Sequence, residues 1–315
     1  MMILMRYAKN TKILQKKNLT KNGKSLNESF MMTKINQNTF NLSDGINMVK
    51  KEKYSMKDSK VIVVKVGTST LTYPSGMFNL RRIDLLVKTL CDLQNSGRKM
   101  ILVSSGAVSA GLAKIGFLGR PDSIEEKQAA AAVGQCELMN MYDSRFSSYG
   151  HKVAQILITR YTVENEVMRR NAEGTFRVLL NMGCIPVVNE NDSVSYEGLK
   201  FGGNDLLAAY VATIAGADFL VNMSDVDGLF DSDPRVNPEA KLIERVDHVD
   251  ERILGMAGGA GSVRGTGGMK AKIDAAIIAA RAGIPSMIVN GANPEILYDI
   301  MDGTARGTVF AAETL

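Results

Sequence analysis

The sequence predicts an α/β fold with a mainly parallel sheet. Short apolar runs rich in β-branched residues alternate with longer segments of helical spacing from residue 60 to the C-terminal end, the pattern of βαβ units. Small or polar residues follow four of these runs, at the place where open α/β sheets bind ligands. Because no internal repeat or long Pro/Gly/Ser linker interrupts this part, we expect one domain with two functional lobes.

The first strand is predicted at 61–66, where a β-branched run leads into the polar residues 67–69. A helix is predicted at 80–95, because its apolar residues recur at helical spacing: Ile83, Leu86, Val87, Leu90 and Leu93. Gly97 lies where a C-terminal cap is expected, so this helix should end just before it. The second strand is predicted at 100–103, and it leads into the polar residues 104–106.

The same two patterns predict the remaining elements. Helices are expected at 128–146, 171–181, 206–214 and 270–281, with Gly283 closing the last. Strands are expected at 153–158, 185–188, 219–223 and 285–289, with an edge strand at 307–311. Polar residues at 189–192 and 224–228 follow two of these strands. Any one polar segment is explained by a simple turn, but four at one edge of a parallel sheet indicate a ligand site.

The formal net charge of +5 is concentrated near the N-terminus. Residues 1–57 contain 12 of the 38 basic and 3 of the 33 acidic residues, which leaves 26 basic against 30 acidic residues in 58–315. We expect 1–57 to be a disordered basic extension, or a stretch upstream of a true start at Met48 or Met56. A targeting peptide and an interaction arm remain alternatives. The mildly acidic domain 58–315 predicts no nucleic-acid surface.

Composition excludes several classes of protein. No apolar run approaches the length of about 18 residues that a membrane span needs. The cysteines Cys91, Cys136 and Cys184 lack the spacing of zinc ligands or of a disulfide framework, and they predict a reducing compartment, the cytoplasm. Since His151 and His248 are the only histidines, neither a Ser-His-Asp triad nor a histidine metal site is expected.

A glycine-rich segment precedes the helix predicted at 270–281. The P-loop pattern GxxxxGKS/T and the dinucleotide pattern GxGxxG are both absent from the sequence. The segment 264–272 instead combines glycine backbone amides, a helix N-terminus and the side chains of Lys270 and Lys272, a combination suited to ATP phosphates. A flexible glycine loop with solvated lysines remains the alternative.

Lys65 interrupts the buried apolar strand predicted at 61–66. A lysine in that position is costly unless an anion pairs with it, either a side chain or a bound ligand. The alternative is that its side chain extends from the strand end into solvent.

Five motifs in this order resemble the amino acid kinase superfamily over residues 59–312. They are Lys65-Val66-Gly67-Thr68-Ser69, Val103-Ser104-Ser105-Gly106-Ala107, Asn189-Glu190-Asn191-Asp192, Ser224-Asp225-Val226-Asp227-Gly228-Leu229 and Gly265-Thr266-Gly267-Gly268-Met269. Three more segments resemble the members that phosphorylate glutamate: Val133-Gly134-Gln135, Thr159-Arg160 and Arg170-Asn171-Ala172. The resemblance implies a three-layer αβα sandwich. It also implies ATP-dependent phosphorylation of the γ-carboxylate of L-glutamate to L-glutamyl 5-phosphate, the first step of proline biosynthesis.

The resemblance further implies roles for particular residues. Lys65 and Lys272 match two catalytic lysines that flank the transferred phosphoryl group, and Asp205 matches the aspartate that orients both. The positions that match glutamate-binding residues are Ser105, Asp192 and Asn204. The positions that match ATP-binding residues are Lys65, Ser224, Asp225, Thr266, Gly267, Gly268, Met269, Lys270, Ala271 and Lys272. The implied cofactor is ATP with Mg²⁺, and the ion is expected to be held by phosphate oxygens and water rather than by a dedicated protein site.

The resemblance also implies partners, and one position departs from the family pattern. It implies a homo-oligomer, proline as a feedback inhibitor and glutamyl phosphate reductase as the next enzyme. An acidic residue often precedes the Asn-Asp pair in the family, whereas Gly203 is found here, and we expect an aspartate at 203 to strengthen glutamate binding. No PUA domain is expected after 58–315.

Three alternatives stay open. The first is another kinase of the superfamily, acting on acetylglutamate, aspartate, carbamate, UMP or isopentenyl phosphate. The second is a catalytically idle nucleotide sensor. The third is a nucleic-acid-binding protein that works through the basic segment 1–57.

Overall fold

The computed structural model describes residues 56–73, 75, 77–117, 119, 121–195, 201–256 and 268–313. The expectation for 1–57 therefore lies outside the described residues, except at Met56 and Lys57. Two predicted nucleotide-binding positions, Thr266 and Gly267, also lie outside them.

The described strands form one eight-stranded sheet. They are β1 (Val61–Val66), β2 (Lys99–Ser104), β3 (Val153–Ile158), β4 (Ile185–Glu190), β5 (Phe219–Ser224), β6 (Arg245–Val246), β7 (Ser286–Asn290) and β8 (Thr308–Phe310). Their order is β3-β4-β2-β1-β5-β7-β8-β6, and each described pair is parallel except β7 with β8. The predicted, mainly parallel sheet is confirmed. The predicted edge strand at 307–311 is not at the edge, because the two residues of β6 pair with β8 on its outer side.

A 3₁₀ turn (Met56–Asp58) precedes β1, and ten helices are described in the rest of the chain. They are α1 (Thr68–Leu71), α2 (Leu80–Asn95), α3 (Ala107–Ile115), α4 (Ile124–Ser147), α5 (Arg160–Glu164), α6 (Glu166–Asn181), α7 (Asn204–Ala215), α8 (Glu251–Met256), α9 (Met269–Arg281) and α10 (Ile296–Asp302). None of the described helices is both long enough and apolar enough to cross a membrane.

Two helices begin earlier than the sequence pattern predicted, because local caps start them. Ser123 and Glu126 form a reciprocal capping box at the start of α4. The Asn165 side chain accepts hydrogen bonds from the backbone amides of Val167 and Met168 at the start of α6. Both caps lie before the first regular apolar position, so apolar spacing alone placed these helix starts too late.

Helices cover both faces of the sheet. On one face, Ile62, Val64 and Val66 of β1 pack in a core with residues of α2, α4 and α10. On the other face, Val63 packs in a second core with residues of α6, α7 and α9. Alternate side chains of β1 therefore lie in two different cores, so the strand is buried on both faces of the sheet. The predicted three-layer sandwich is confirmed. Lys65 follows the alternation of Val63, so its side chain is on the face covered by α7 and α9.

Helices α3 and α4 pack closely through two glycines. A Cβ atom added to Gly134 would overlap the backbone carbonyl of Ala107, and one added to Gly111 would overlap that of Ala130. Only glycine permits this approach of the two backbones. The contact holds the start of α3, which follows Ser105, against the part of α4 that carries Gln135.

Candidate active site

The polar strand ends meet at one edge of the sheet. Parallel pairing places Val66 of β1 beside Ser104 of β2, and Lys65 of β1 beside Asn222 of β5. Ser224 ends β5 on the same edge, because these strands run in the same direction. Helix α7 begins at this edge with Asn204 and Asp205, so the predicted strand-end residues and the helix start form one site.

Asp205 joins two lysines that are more than 200 positions apart in the sequence. Its Oδ1 is 2.6 Å from Lys65 Nζ, and its Oδ2 is 3.2 Å from Lys272 Nζ. All three side chains are buried, with residue exposures of 6% for Lys65, 2% for Asp205 and 7% for Lys272. Lys65 therefore pairs with the side chain of Asp205, as the hypothesis of a paired anion predicted. Its side chain does not extend into solvent.

The charges of this triad do not cancel. With both lysines protonated, two positive charges face one negative charge. Burial lowers the pKa of Lys65, and the neighbouring Lys272 cation lowers it further, while Asp205 opposes the shift. Burial alone would raise the pKa of Asp205, but Lys65, Lys272 and a hydrogen bond from Asn222 together lower it. These three side chains therefore sum to a net positive charge when both lysines are protonated.

The two lysines of the glycine-rich segment have different environments. Gly268 precedes α9, and Lys270 and Lys272 lie in its first turn. Lys272 is buried against Asp205, whereas Lys270 is exposed. Two positions along a helix correspond to a rotation of about 200°, so the two side chains leave the axis on nearly opposite sides. Of the other predicted nucleotide-binding residues here, Met269 and Ala271 are half-buried.

A hydrogen-bonded network extends from the triad along the sheet edge. Asn204 Nδ2 donates to Ser105 Oγ at 2.8 Å, to the Ser104 carbonyl at 2.8 Å and to Asn189 Oδ1 at 3.0 Å. Asn189 Nδ2 in turn donates to Gln135 Oε1 at 2.9 Å. Gln135 Nε2 is buried and has no hydrogen-bond partner among the described residues. Two of the predicted glutamate-binding residues, Ser105 and Asn204, are thus in direct contact.

Asp192 lies in the loop after β4 and lines a cleft of about 230 Å³. Gln135 and Glu190 line the same cleft, together with residues of α4 and β3. Carboxylates can bind an ammonium group, and an amide N–H can bind a carboxylate. The cleft therefore has the side chains that a zwitterionic ligand requires, next to the network that carries Ser105 and Asn204.

The remaining predicted nucleotide-binding residues are at the end of β5. Ser224 is buried, Asp225 is exposed, and Ser224 Oγ donates to Asp225 Oδ1 at 3.2 Å. Asp225 also raises the pKa of Lys65 by its charge, though burial and Lys272 outweigh it. Ser224 and Asp225 thus lie within electrostatic reach of the triad.

Gly203 has a backbone conformation that other residues avoid. Its φ is 135° and its ψ is 160°, a region populated essentially by glycine. The expectation that an aspartate at 203 would strengthen glutamate binding stays a prediction, and this backbone conformation opposes it. A side chain there would strain the residue immediately before Asn204 and Asp205.

Sequence reasoning missed one residue that contacts the triad directly. Asn222 Nδ2 donates to Asp205 Oδ1 at 2.8 Å, and the residue is 4% exposed. The signal that could have found it is the one that identified Lys65, a polar residue inside an apolar strand. Gln135 and Asn189 occur within quoted motifs, but no role was assigned to either.

The comparisons with known proteins agree with this fold. The family model described as "Amino acid kinase family" matches residues 60–290. The chain belongs to the amino acid kinase family.

Curated relatives define its place in that family more narrowly. The chain is 50% identical over 263 residues to a protein named glutamate 5-kinase from Clostridium perfringens, a match that covers 82% of this chain and 98% of that protein. It is 48% identical over 259 residues to a protein of the same name from Enterococcus faecalis, covering 81% of this chain and 96% of that one. Within the amino acid kinase family, the chain groups with the glutamate 5-kinases.

Solved structures support the fold alone. Carbamate kinase from Giardia lamblia bound to AMP-PNP superposes with a TM-score of 0.57 at 16% identity, covering 82% of this chain and all of that one. UMP kinase from Bacillus anthracis superposes with a TM-score of 0.56 at 17% identity, covering 81% of this chain and 97% of that one.

Proposed function

We propose that this protein transfers the γ-phosphoryl group of ATP to the γ-carboxylate of L-glutamate, which yields L-glutamyl 5-phosphate and ADP. The observation that carries the proposal is the buried triad of Lys65, Asp205 and Lys272 at the carboxyl edge of the sheet. Its two buried ammonium groups suit a phosphoryl group, whose oxygens carry negative charge throughout the transfer.

The two lysines would act by position and charge. A γ-carboxylate is already ionised at neutral pH, so the attacking oxygen needs no general base. The barrier arises from bringing two anions together, and buried ammonium groups lower it more than solvated ones would. Asp205 holds Lys65 with one oxygen and Lys272 with the other, so the positions of both ammonium groups are set before the substrates bind.

Magnesium would arrive with the nucleotide. Mg²⁺ prefers phosphate oxygens and waters with one or two carboxylates, and the described residues contain no group of three or more His, Cys, Asp or Glu side chains arranged to hold a metal. When bound, the ion would neutralise charge on the phosphate oxygens. The exposed carboxylate of Asp225, at the end of β5, is the one that we assign to the nucleotide side of the site.

Glutamate would occupy the side of the site that holds Ser105, Asn204 and Asp192. Other acceptors known for this fold, among them UMP, carbamate and isopentenyl phosphate, are less well supported, because the chains named for them are at most 18% identical to this one. The glutamate 5-kinases that it matches are about 50% identical over nearly their whole length. An idle nucleotide sensor would not need two buried lysines held at one carboxylate.

The proposal includes the setting of the reaction. An acyl phosphate is hydrolysed readily, so a reductase that consumes glutamyl phosphate should act next, toward proline. We also propose that proline inhibits the enzyme, that the chain forms a homo-oligomer and that neither nucleic acid nor membrane is a partner. The proposed location is the cytoplasm, since Cys91, Cys136 and Cys184 are all free thiols.

Trapping with hydroxylamine tests the proposal. The protein is incubated with ATP, Mg²⁺, hydroxylamine and one acceptor at a time: L-glutamate, N-acetylglutamate, aspartate, or carbamate. UMP and isopentenyl phosphate are tested by ADP release. We expect a hydroxamate with L-glutamate in amounts equal to the ADP formed, and at least tenfold less with every other acceptor. Asp205→Asn serves as the inactive control. A higher rate with any other acceptor would overturn the substrate assignment.

A further inference from the structure

Asn222 is a polar side chain in the middle of an apolar strand. It lies in β5 between Val221 and Met223, which are both fully buried, and is itself 4% exposed. Its register partners in the neighbouring strands are Lys65 on one side and Ile288 on the other. The side chain is therefore next to the triad, on the same face of the sheet as Lys65.

The amide of Asn222 holds one particular oxygen of Asp205. Its Nδ2 donates to Oδ1 at 2.8 Å, the same oxygen that accepts from Lys65, while Oδ2 accepts from Lys272. A lysine side chain has four rotatable bonds and an asparagine side chain has two, so the amide is the stiffer of the two donors to Oδ1. Asn222 thus restrains the plane of the carboxylate, and with it the directions in which the two oxygens meet the two lysines.

Asn222 has two opposing effects on folding stability. Its Oδ1 is buried and has no hydrogen-bond partner among the described residues, and a buried acceptor without a donor costs free energy of folding. The bond from Nδ2 to the buried Asp205 carboxylate contributes free energy of the opposite sign. Because an apolar side chain of similar shape would remove both effects, folding stability alone gives little reason for an asparagine here, and its distinct effect is on the orientation of the triad.

We propose that Asn222 is a positioning residue for phosphoryl transfer and that it acts through Asp205. This inference rests on the proposed function only in that the triad performs the transfer. Lys65 and Lys272 would share their N–H groups between Asp205 and a bound phosphoryl group, whereas Asn222 donates to Asp205 alone and keeps that carboxylate in its orientation. Its loss should therefore affect turnover more than the binding of either substrate.

The test compares Asn222→Leu with Asn290→Leu. In the wild type, Asn290 Nδ2 donates to Asp227 Oδ1 at 2.9 Å, so the control removes the same kind of bond one strand away without touching Asp205. For Asn222→Leu we expect kcat to fall about tenfold, both KM values to stay within about threefold, and Tm to stay close to that of the wild type, because the lost hydrogen bond and the removed unsatisfied acceptor offset each other. For Asn290→Leu we expect kcat within about twofold of the wild type. Asn222→Val provides the same comparison with a smaller side chain.

Three results would overturn the proposal. The first is an unchanged kcat in both Asn222 variants. The second is a joint fall of kcat and Tm in both, which would mean a structural role. The third is an equal loss of kcat in Asn222→Leu and Asn290→Leu. The kinetics use whichever acceptor the wild type phosphorylates, so a failure of the glutamate assignment and a failure of the Asn222 role are separate results.

Discussion

The net charge of the triad leads to a prediction about folding stability. Asp205→Asn removes the anion that contacts both Lys65 and Lys272, and the carboxylate side chain is only 3% exposed. The two buried ammonium groups would then lose the carboxylate that pairs with both. Removing one partner of a buried ion pair typically costs about 3–5 kcal/mol, so we expect the free energy of unfolding to fall by about that amount.

Lys272→Met is the informative comparison. It leaves Lys65 and Asp205 as a neutral pair at 2.6 Å and replaces the lysine stem by an apolar side chain of similar length. Because one of two like charges is removed, we expect the free energy of unfolding to change by less than about 1.5 kcal/mol. Activity should be lost in both variants. Only Lys272→Met should lose activity while keeping nearly the stability of the wild type.

Equilibrium unfolding in urea at pH 7, followed by circular dichroism, measures both effects. The two variants and the wild type must give equal slopes against urea for the comparison to report stability alone. If Lys272→Met loses as much stability as Asp205→Asn, the reasoning from net charge is refuted. The same holds if Asp205→Asn is as stable as the wild type.

Further predictions concern kinetics, packing and pH. Lys65→Ala and Lys272→Ala should each lower kcat about 10²–10³-fold with small changes in KM, while exposed Lys270→Ala should lower it less than tenfold, as steady-state kinetics would show. Gly134→Ala should lower Tm in calorimetry, because its Cβ would overlap a backbone carbonyl of α3. Asp205 has a folded pKa below its ordinary 3.8, so the stability that it contributes persists above pH 3.8 and is lost as pH falls further. Urea unfolding should thus show the wild type losing more stability than Asp205→Asn as pH falls below 3.8, and an equal loss in both would contradict this reasoning.

The sequence predicted most strands and the long helices because their signals are local, whereas the three layers were implied by the family resemblance. The β-branched run at 61–66 and the apolar spacing of 80–95 each specify an element without reference to the rest of the chain. The short helices α1, α3, α5, α8 and α10 carry no sustained apolar period, so they were not predicted. The position of β8 was wrong because the two-residue strand β6 is too short to leave a pattern.

The site was predicted only in part for a similar reason. Lys65 and Lys272 could be recognised separately from the residues, whereas their convergence on Asp205 was implied only by the family resemblance, because it depends on the order of the strands and on the start of α7. Asn222 interrupts its strand as Lys65 does, but it was missed. An amide costs less free energy to bury than a charge, so a buried asparagine is a weaker indication of a functional site than a buried lysine. The role of Gly203 depends on a backbone angle that a sequence does not display.

The central claim is that an oxygen of the glutamate γ-carboxylate attacks the γ-phosphorus of ATP at the triad. L-Glutamate labelled with oxygen-18 in its γ-carboxylate tests this most directly, with hydroxylamine present and the released phosphate analysed by mass spectrometry. Hydroxylamine attacks the carbonyl carbon of the acyl phosphate, so the bond from that carbon to the bridging oxygen breaks and the phosphate retains the bridging atom. The account predicts one oxygen-18 atom in each phosphate released together with hydroxamate, and no such phosphate from Asp205→Asn. Unlabelled phosphate from the wild type would mean that water, not glutamate, attacks the nucleotide, and would contradict the account.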